Sequence, residues 1–575
     1  MADADVLVVG AGPIGLFTAI LLTKFGFKIR IIDQRSEMVN DENRASFLNS
    51  RTLEFLHSID PSLVQEILRV ANTTTEIHYY KDGVLRWQEA TYRSDSRFQH
   101  GTHIRQDMIH GIFVTYLERL GVHVQRSVRL TDFDRTFDTD GVSAVVENVG
   151  TGIMNTIDVA YLIGADGIRS RTRMRLGVSI KVIGTPVSCY IENKHGAVIV
   201  SICCGNLHYI TMPVDPNSEN LSQEDVIERV KLILSPFEID IETMHWFSRI
   251  DGKQTTSYYP HFIAMLSTIF YLTPETELLS TAATNFVAEE FAQDRVFLVE
   301  PGIIGEAAHC YTPLGGLPFN CGFADSWNLV WKLSMTHRGI AQSSLLETYH
   351  EERHATAEKD ANMASTINKL SNRMNEFPIE LLYKFAKNDG LVTGIGVKYP
   401  PNVLNLYDHE DPNLAVHPGM RAPDGRVQPS KTQAGDAAIR LLDLFKAATQ
   451  FHLLIFTGSL SRNHAALGRL EILVTSPEQY AYTFSSLPVD HPDLFNYVAI
   501  LPAGGESPPP GGLFDAIDVY YTDIVNEADG LYATYGVDVE DGAFIIVRPD
   551  GIVGTCMPLS NVLVEEDYYF SMFSA

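Results

Sequence analysis

Basic residues are scarce. The 575-residue chain carries 44 Lys+Arg against 71 Asp+Glu, a formal net charge of −27. A general nucleic-acid binder, or a protein held on anionic lipid, needs a basic face; both classes are excluded, while a local basic pocket is not. Cysteine is scarce too. The six, at 189, 203, 204, 310, 321 and 556, form no CxxC and no metal-ligand spacing. No metal site is expected, and reduced thiols in a reducing compartment are the default. Long apolar runs are missing: the longest, 262–272, is about eleven residues, against roughly 20 for a membrane-spanning helix. No signal peptide is read at the N-terminus, where acidic residues lead straight into VLVVG, and Phe573-Ser574-Ala575 matches no peroxisomal or prenylation signal. The expectation is a cytoplasmic protein. What is present is ordinary globular usage, 45% hydrophobic and 20% charged, enough to bury large cores. At roughly 100–200 residues per domain the length predicts three or four units.

The most informative segment is DVLVVGAGPIGLFTAILLTKFGFKIRIIDQR at 5–35. Val6 to Val9 reads as a buried parallel strand. Gly10, Gly12 and Gly15 follow as GxGxxG, then Leu16 to Phe25 at helical spacing, then a second strand, Lys28 to Ile32, with Asp33 at its end. That order suits a dinucleotide. The first glycine permits the tight turn, the second lets a diphosphate approach the backbone, and the third lets helix pack on strand. The helix N-terminus faces the phosphates, and the acid binds ribose hydroxyls. The motif alone does not separate FAD from NAD.

Further segments do. They are RASFLNSRTLE at 44–54, IRQDMIHGIFVTYLERLG at 104–121, VAYLIGADGIRSRTR at 159–173, and RVFLV followed by GEAAHCYTPLGGLPFNCGFADSWNLVWKL within 295–333. With LLETYHEERHATA (345–357), HPGMRAPDG (417–425) and IIVRPDGIVG (545–554), the sequence resembles the FAD-dependent aromatic hydroxylases, single-component flavoprotein monooxygenases, and within them the fungal phenol-hydroxylase-like branch. The resemblance implies an α/β fold: a Rossmann-type FAD-binding domain interleaved with a mixed-sheet substrate domain, plus a thioredoxin-like C-terminal domain. It implies that Gly10, Gly12 and Gly15 cradle the FAD diphosphate, that Asp33 binds the adenosine ribose and that Arg44 pairs with the diphosphate. Gln106 would reach the cofactor and Asp166 would lie near it. Glu306 would take the place of the aspartate that holds the ribityl chain. Pro313 to Asn320, with Gly316 and Asn320 singled out, would line the isoalloxazine. NADPH or NADH would donate hydride, and O2 would supply the oxygen placed on an aromatic substrate. A homodimer is allowed.

Departures from that family matter as much. Ser46 stands where the branch has an active-site Asp, so phenol itself is not the expected substrate. Tyr209, in Leu207-His208-Tyr209-Ile210, is the substrate-contact candidate, with His208 on the opposite strand face. His309 is read as more structural than catalytic. Pro318 replaces a glycine of GGQGMN and removes a backbone N–H. About five extra residues, 300–304, precede Gly305, by comparison with the usual strand–turn–helix pattern. A longer irregularity, 252–281, is either a lid or translated intron sequence.

The expected organisation is 1–180 for the first FAD-binding part and 181–300 for the substrate sheet. Residues 301–375 are the second FAD-binding part with a long helix from Leu345 to Met374. Residues 376–434 are a linker and 435–575 the thioredoxin-like domain, opening with a helix over AAIRLLDLFKAA. The leading function is hydroxylation of a phenolic or polyketide-like aromatic in secondary metabolism. An FAD enzyme without oxygenation (isomerase, cyclase or dehydrogenase) and a non-catalytic flavin-fold protein are the alternatives.

Overall fold

The computed structural model describes residues 3–37, 45–81, 83–90, 95–136, 141–167, 170–183, 189–193, 195–204, 207–213, 222–234, 241–251, 264–272, 285–299, 308–310, 317–374, 390, 393–407, 413–430, 438–445, 450–475, 494–517, 519–524, 530–562 and 569–570. Strand β1 (Ala4–Val9) leads through the glycine turn into helix α1 (Pro13–Lys24), whose residues Pro13 to Leu22 are all buried. A helix apolar all round belongs inside. One face packs on the sheet. Another meets the helix Leu317–His337, where Phe17 lies 4.7 Å from Phe323 and Thr18 Oγ1 is 2.8 Å from Ser326 Oγ. Strand β2 (Ile29–Asp33) returns parallel to β1.

The sheet order is Ala292–Gln293, Val296–Leu298, Met154–Gly164, β1, β2, Val124–Arg126. Its central pairings are parallel. Val296–Leu298 therefore belongs to this first sheet, although the expected substrate unit ran to 300. The reason is that Val296 to Val299 are buried, as a parallel strand covered on both faces must be.

Strand β3 (Ala45–Leu48) and helix α2 (Ser50–Ile59) follow. β3 pairs antiparallel with Gly101–Arg105, which runs directly into the helix Gln106–Arg119.

A second, five-stranded antiparallel sheet has the order Cys189–Asn193, Gly196–Cys204, Leu207–Pro213, Ala264–Leu272, Ile241–Asp251. The middle of the irregular 252–281 segment is thus an interior strand of this sheet, not a lid. Its flanks, 252–263 and 273–284, lie outside the described residues.

The C-terminal sheet has seven strands: Ile439–Arg440, Arg426–Pro429, Tyr521–Asp523, Phe495–Leu501, Phe451–Phe456, Ala543–Val547, Val553–Pro558. Phe451–Phe456 is parallel to Phe495–Leu501 and antiparallel to Ala543–Val547, a thioredoxin-like arrangement. Two expectations change here. The segment 376–434 is not all linker, since Arg426–Pro429 is a strand of this sheet. AAIRLLDLFKAA is not a helix over its described part: Ile439–Arg440 is a strand and Leu441–Leu444 a 3-10 turn. Ile439 pairs with Val427, and Leu441 N donates to Gly425 O, so non-local pairing overrides helix propensity.

Candidate functional site

The β1–α1 turn is built around Gly10, whose φ is +102°. A Cβ there would overlap the Ala165 carbonyl oxygen. The GxGxxG turn therefore packs directly on Ala165-Asp166, the second motif singled out in the sequence. Gly12 precedes α1 in extended conformation with no side-chain cap, and Pro13 takes the first helical position. The first turn of α1 keeps its backbone N–H groups for something else. Asp33, at the end of β2, accepts from Ala11 N (2.8 Å) and Arg35 N (2.9 Å), so its carboxylate is fixed at the mouth of the turn. An uncapped helix N-terminus beside a held carboxylate offers the donors that a dinucleotide's diphosphate requires and the acceptor that its ribose hydroxyls require. These residues fit FAD.

Sequence reading missed His110, one turn beyond Gln106. Its Nε2 donates to Ala11 O (2.9 Å), and burial holds the ring below its ordinary pKa. The helix Gln106–Arg119 is thereby tied to the glycine turn, and the Gln106 side chain is half-buried at its start. Both Asp166 oxygens are taken: Oδ1 accepts from Ser170 Oγ (2.5 Å), Oδ2 from Thr172 N and Oγ1 (3.1 Å each). Burial raises the Asp166 pKa against these hydrogen bonds.

Asn320 sits in a different corner. Its Nδ2 donates to Phe47 O (2.8 Å), and its Oδ1 accepts from Asn49 N (3.0 Å) and Thr52 Oγ1 (2.7 Å). Asn320 thus joins the start of the Leu317–His337 helix to the bend from β3 into α2. Pro318 is the second residue of that helix, where an N–H has no intrahelical partner and proline is tolerated. Tyr209 pairs with Ser201 and Ile269 across the second sheet. Ser46 pairs with Ile104. Arg44, Glu306, Gly316, Pro313 and the extra 300–304 lie outside the described residues. His309 is sealed in the core: Nε2 is 2.9 Å from Asp325 Oδ2, and Asp325 Oδ1 accepts from Arg353 Nε (2.6 Å). Among the described residues, no His/Cys/Asp/Glu group could hold a metal ion, and no helix is long and apolar enough to cross a membrane. A cavity of about 560 Å³ opens between α2, the helices Leu317–His337 and Glu347–Met374, and 394–407; Asn49, Asn320, Cys321, Asp360 and Tyr399 are among its walls.

Residues 3–364 match the FAD binding domain family, and residues 397–575 match the phenol hydroxylase C-terminal dimerisation domain. The chain belongs to the FAD-dependent monooxygenases. Curated relatives of this monooxygenase include 3-hydroxybenzoate 4-monooxygenase of Comamonas testosteroni, 24% identical with 100% of this chain and 95% of the relative covered. A phenol 2-monooxygenase of Aspergillus fumigatus is 24% identical, with 96% and 93% covered. In fold, the monooxygenase resembles the flavin-dependent monooxygenase PieE, solved with FAD and substrate (TM-score 0.61, 18% identity, 100% of each chain covered). It also resembles aklavinone-11 hydroxylase, solved with FAD and aklavinone (TM-score 0.59, 20% identity, 100% and 99% covered).

Several motifs quoted from the monooxygenase's sequence meet in a buried ionic interface that sequence reading did not assign. Arg421, of HPGMRAPDG, forks onto Glu54, of RTLE (2.9 and 2.6 Å), and reaches Asp95 (2.7 Å). Burial alone would raise Glu54, but Arg421 outweighs it and holds the carboxylate low. Arg548, of IIVRPDG, bonds both oxygens of Glu352 (2.5 and 2.9 Å) and both of Asp550 (2.6 and 3.1 Å). Lys332 reaches Glu352 from the other side (2.8 Å). Burial pulls the Lys332 ammonium down to about 8. The available signal was charge set in apolar context, as in NLVWKLSM and AFIIVR.

Proposed function

We propose that this monooxygenase hydroxylates a phenolic or polyketide-like aromatic, with NADPH or NADH as electron source and the chain acting as a homodimer through 397–575. The observation that supports this reading best is the glycine turn with its held carboxylate, in one chain with the antiparallel sheet bearing Tyr209. Bound FAD would supply oxygen activation. In this reading Gly10, Gly12 and Gly15 admit the diphosphate to the α1 N-terminus, and Asp33 receives the ribose hydroxyls. Arg44 neutralises diphosphate charge that an acidic protein must offset locally. Gln106, Glu306 and Gly316 contact the cofactor. Asp166 holds the Ser170–Thr172 turn beside Gly10, and Asn320 acts by fixing the β3–α2 bend. Tyr209 contacts the substrate, while the sheet and the helix start at Leu317 orient the ring and exclude water.

Ser46 carries no carboxylate, and a hydroxyl is a poor base near neutral pH. The expectation is therefore either a substrate already acidic, such as a polyketide 1,3-dicarbonyl or a resorcinol, or a base from elsewhere. The test is NAD(P)H oxidation by the FAD-loaded chain under isotope-labelled O2, across a panel of acidic phenols and simple phenol. Label in the product supports the reading. Product without label, with flavin bound, would move the assignment to a non-oxygenating FAD enzyme, and robust turnover of simple phenol would remove the Ser46 argument. Tyr209→Phe should lower coupling of reductant to product more than it lowers flavin binding.

A further inference from the structure

We infer that Arg51 is a positioning residue for the flavin site, and that the C-terminal domain holds it in place through the turn Arg548–Gly551. The inference rests on the FAD reading above. β3 begins one residue after Arg44, and its partner strand ends one residue before Gln106, with Ala45 opposite Arg105. Two expected cofactor contacts thus flank a single antiparallel pair. Anything that sets the place of β3 acts on the strand that leads into Gln106.

The far end of β3 turns into α2 at Asn49, whose side chain accepts from Thr52 N (2.9 Å). Arg51 lies just beyond this cap and is held by four groups. Its backbone N donates to Thr393 O (3.0 Å). Its guanidinium lies over the Phe55 ring (4.4 Å), and Phe55 stacks on Trp327 (5.1 Å), whose Nε1 donates to Pro549 O (3.3 Å). Its Nη2 donates to the Asp550 carbonyl, and its Nη1 to Glu54 Oε2 (3.2 Å). Gly551, at φ +72°, closes against it: a Cβ there would stand 3.3 Å from Nη2.

Charge pairing alone does not account for the bond that this arginine makes to a backbone carbonyl. Glu54 already has both oxygens on Arg421, and the Asp550 carboxylate is on Arg548. Burial, and after it the neighbouring Arg421, work against the Arg51 charge, and the attraction of Glu54 and Asp550 offsets them only in part. What Arg51 adds is a directional bond from the β3–α2 bend to a backbone carbonyl of the other domain. That bond fixes position, whereas a point charge would not.

The experiment compares full-length wild type, Arg51→Met, Arg51→Lys, Gly551→Ala and the control Arg440→Gln. Arg440 pairs with Asp424 and Asp95 O, neither of them on β3 or α2. FAD Kd is read by flavin fluorescence, stability by thermal melting, and the amides of 45–52 by hydrogen exchange without FAD. Arg51→Met should weaken FAD about tenfold, the fall expected if the binding-competent place of β3 is then populated only about a tenth of the time, and should speed exchange at 45–49. Arg51→Lys should recover part of this. Arg440→Gln should melt earlier with FAD affinity unchanged. If Arg51→Met melts earlier but binds FAD within about twofold of wild type, Arg51 is merely structural and the inference falls. If Arg51→Met does not fold, Gly551→Ala decides by the same criterion. A wild-type chain that binds no FAD would overturn the cofactor reading and this inference together.

Discussion

Replacing Arg548 by methionine should destabilise the protein far more than removal of any surface arginine. Arg548 has no exposed surface, and its guanidinium donates to Glu352, Asp550 and Asn405 Oδ1 (2.8 Å). Methionine fills much of the volume but offers no donor. Glu352 would keep Lys332 and the amides of Asn328 (2.8 Å) and Asn405 (2.8 Å). Asp550 would keep Trp331 Nε1 (3.3 Å), Asn328 Nδ2 (3.4 Å) and Ile552 N (3.4 Å), all long. Breaking a buried pair from one side costs about 3–5 kcal/mol, because the remaining charge stays buried. At roughly 2–4 °C per kcal/mol for a unit of this size, the melting temperature should fall by about 6–20 °C. Calorimetry with and without FAD measures this. The control is Arg462→Ala, whose partner Asp541 and own side chain are both 59% exposed, so its loss should stay under about 1 kcal/mol. The double change Asp550→Asn with Arg548→Met should be milder than Arg548→Met alone, since it leaves no orphaned carboxylate at 550 while Glu352 keeps Lys332. If Arg548→Met costs no more than Arg462→Ala, the buried network contributes nothing to the folded state and the reasoning fails.

Gly10→Ala should yield protein that retains no flavin through gel filtration, because the new Cβ overlaps the Ala165 carbonyl and φ is +102°; full flavin absorbance would refute the packing. Asp33→Ala should weaken FAD by about tenfold or more, the loss of a hydrogen bond to a charged group; fluorescence titration with unchanged affinity would remove Asp33 from the ribose site. Acid should destabilise in two stages. Burial holds His110 and His452 below the ordinary 6.5, His452 at about 3. Their neutral forms stabilise fully above 6.5, and that contribution is lost as pH falls below it. Glu54 and Glu352 are held below 4.5 by their arginines after burial is overcome, so a steeper loss should begin below 4.5. Asp166, Asp360 and Asp424 are raised by burial and oppose it in part. A melting temperature that rises between pH 6.5 and 4 would contradict these signs.

The elements legible in the sequence are those whose signal is local. The apolar run of β1, the glycine spacing and the buried α1 need no partner to be recognised, and the strands between 189 and 213 show their pattern in a few residues. The helix Glu347–Met374 and the 3-10 turn before it match the expected Leu345 to Met374 closely. The failures are non-local. Ala264–Leu272 looks like an inserted apolar stretch until Leu207–Pro213 and Ile241–Asp251 take it as their shared neighbour. Ile439–Arg440 reads as helix until Arg426–Val427 pairs with it. His110 reads as one polar residue of a helix, and only the fold brings its ring to Ala11, 99 positions away.

The motifs near the C-terminus make the same point about function. HPGMRAPDG and IIVRPDG look like site sequences because they are polar, glycine-bearing and set among apolar strands. Their arginines instead grip Glu54 and Glu352, 367 and 196 positions away. An apolar interface of equal area would hold two domains as tightly, since buried ion pairs bring little net stability. It would tolerate sliding, however, because hydrophobic contact is non-directional. Forked arginine–carboxylate bonds tolerate far less, because angles as well as distances must be satisfied. Here the ionic contacts fall on α2, which follows the β3–α2 bend, and on the long helices Leu317–His337 and Glu347–Met374. The interface is polar where position matters most, and that links the C-terminal domain to the geometry of the flavin cradle rather than to assembly alone.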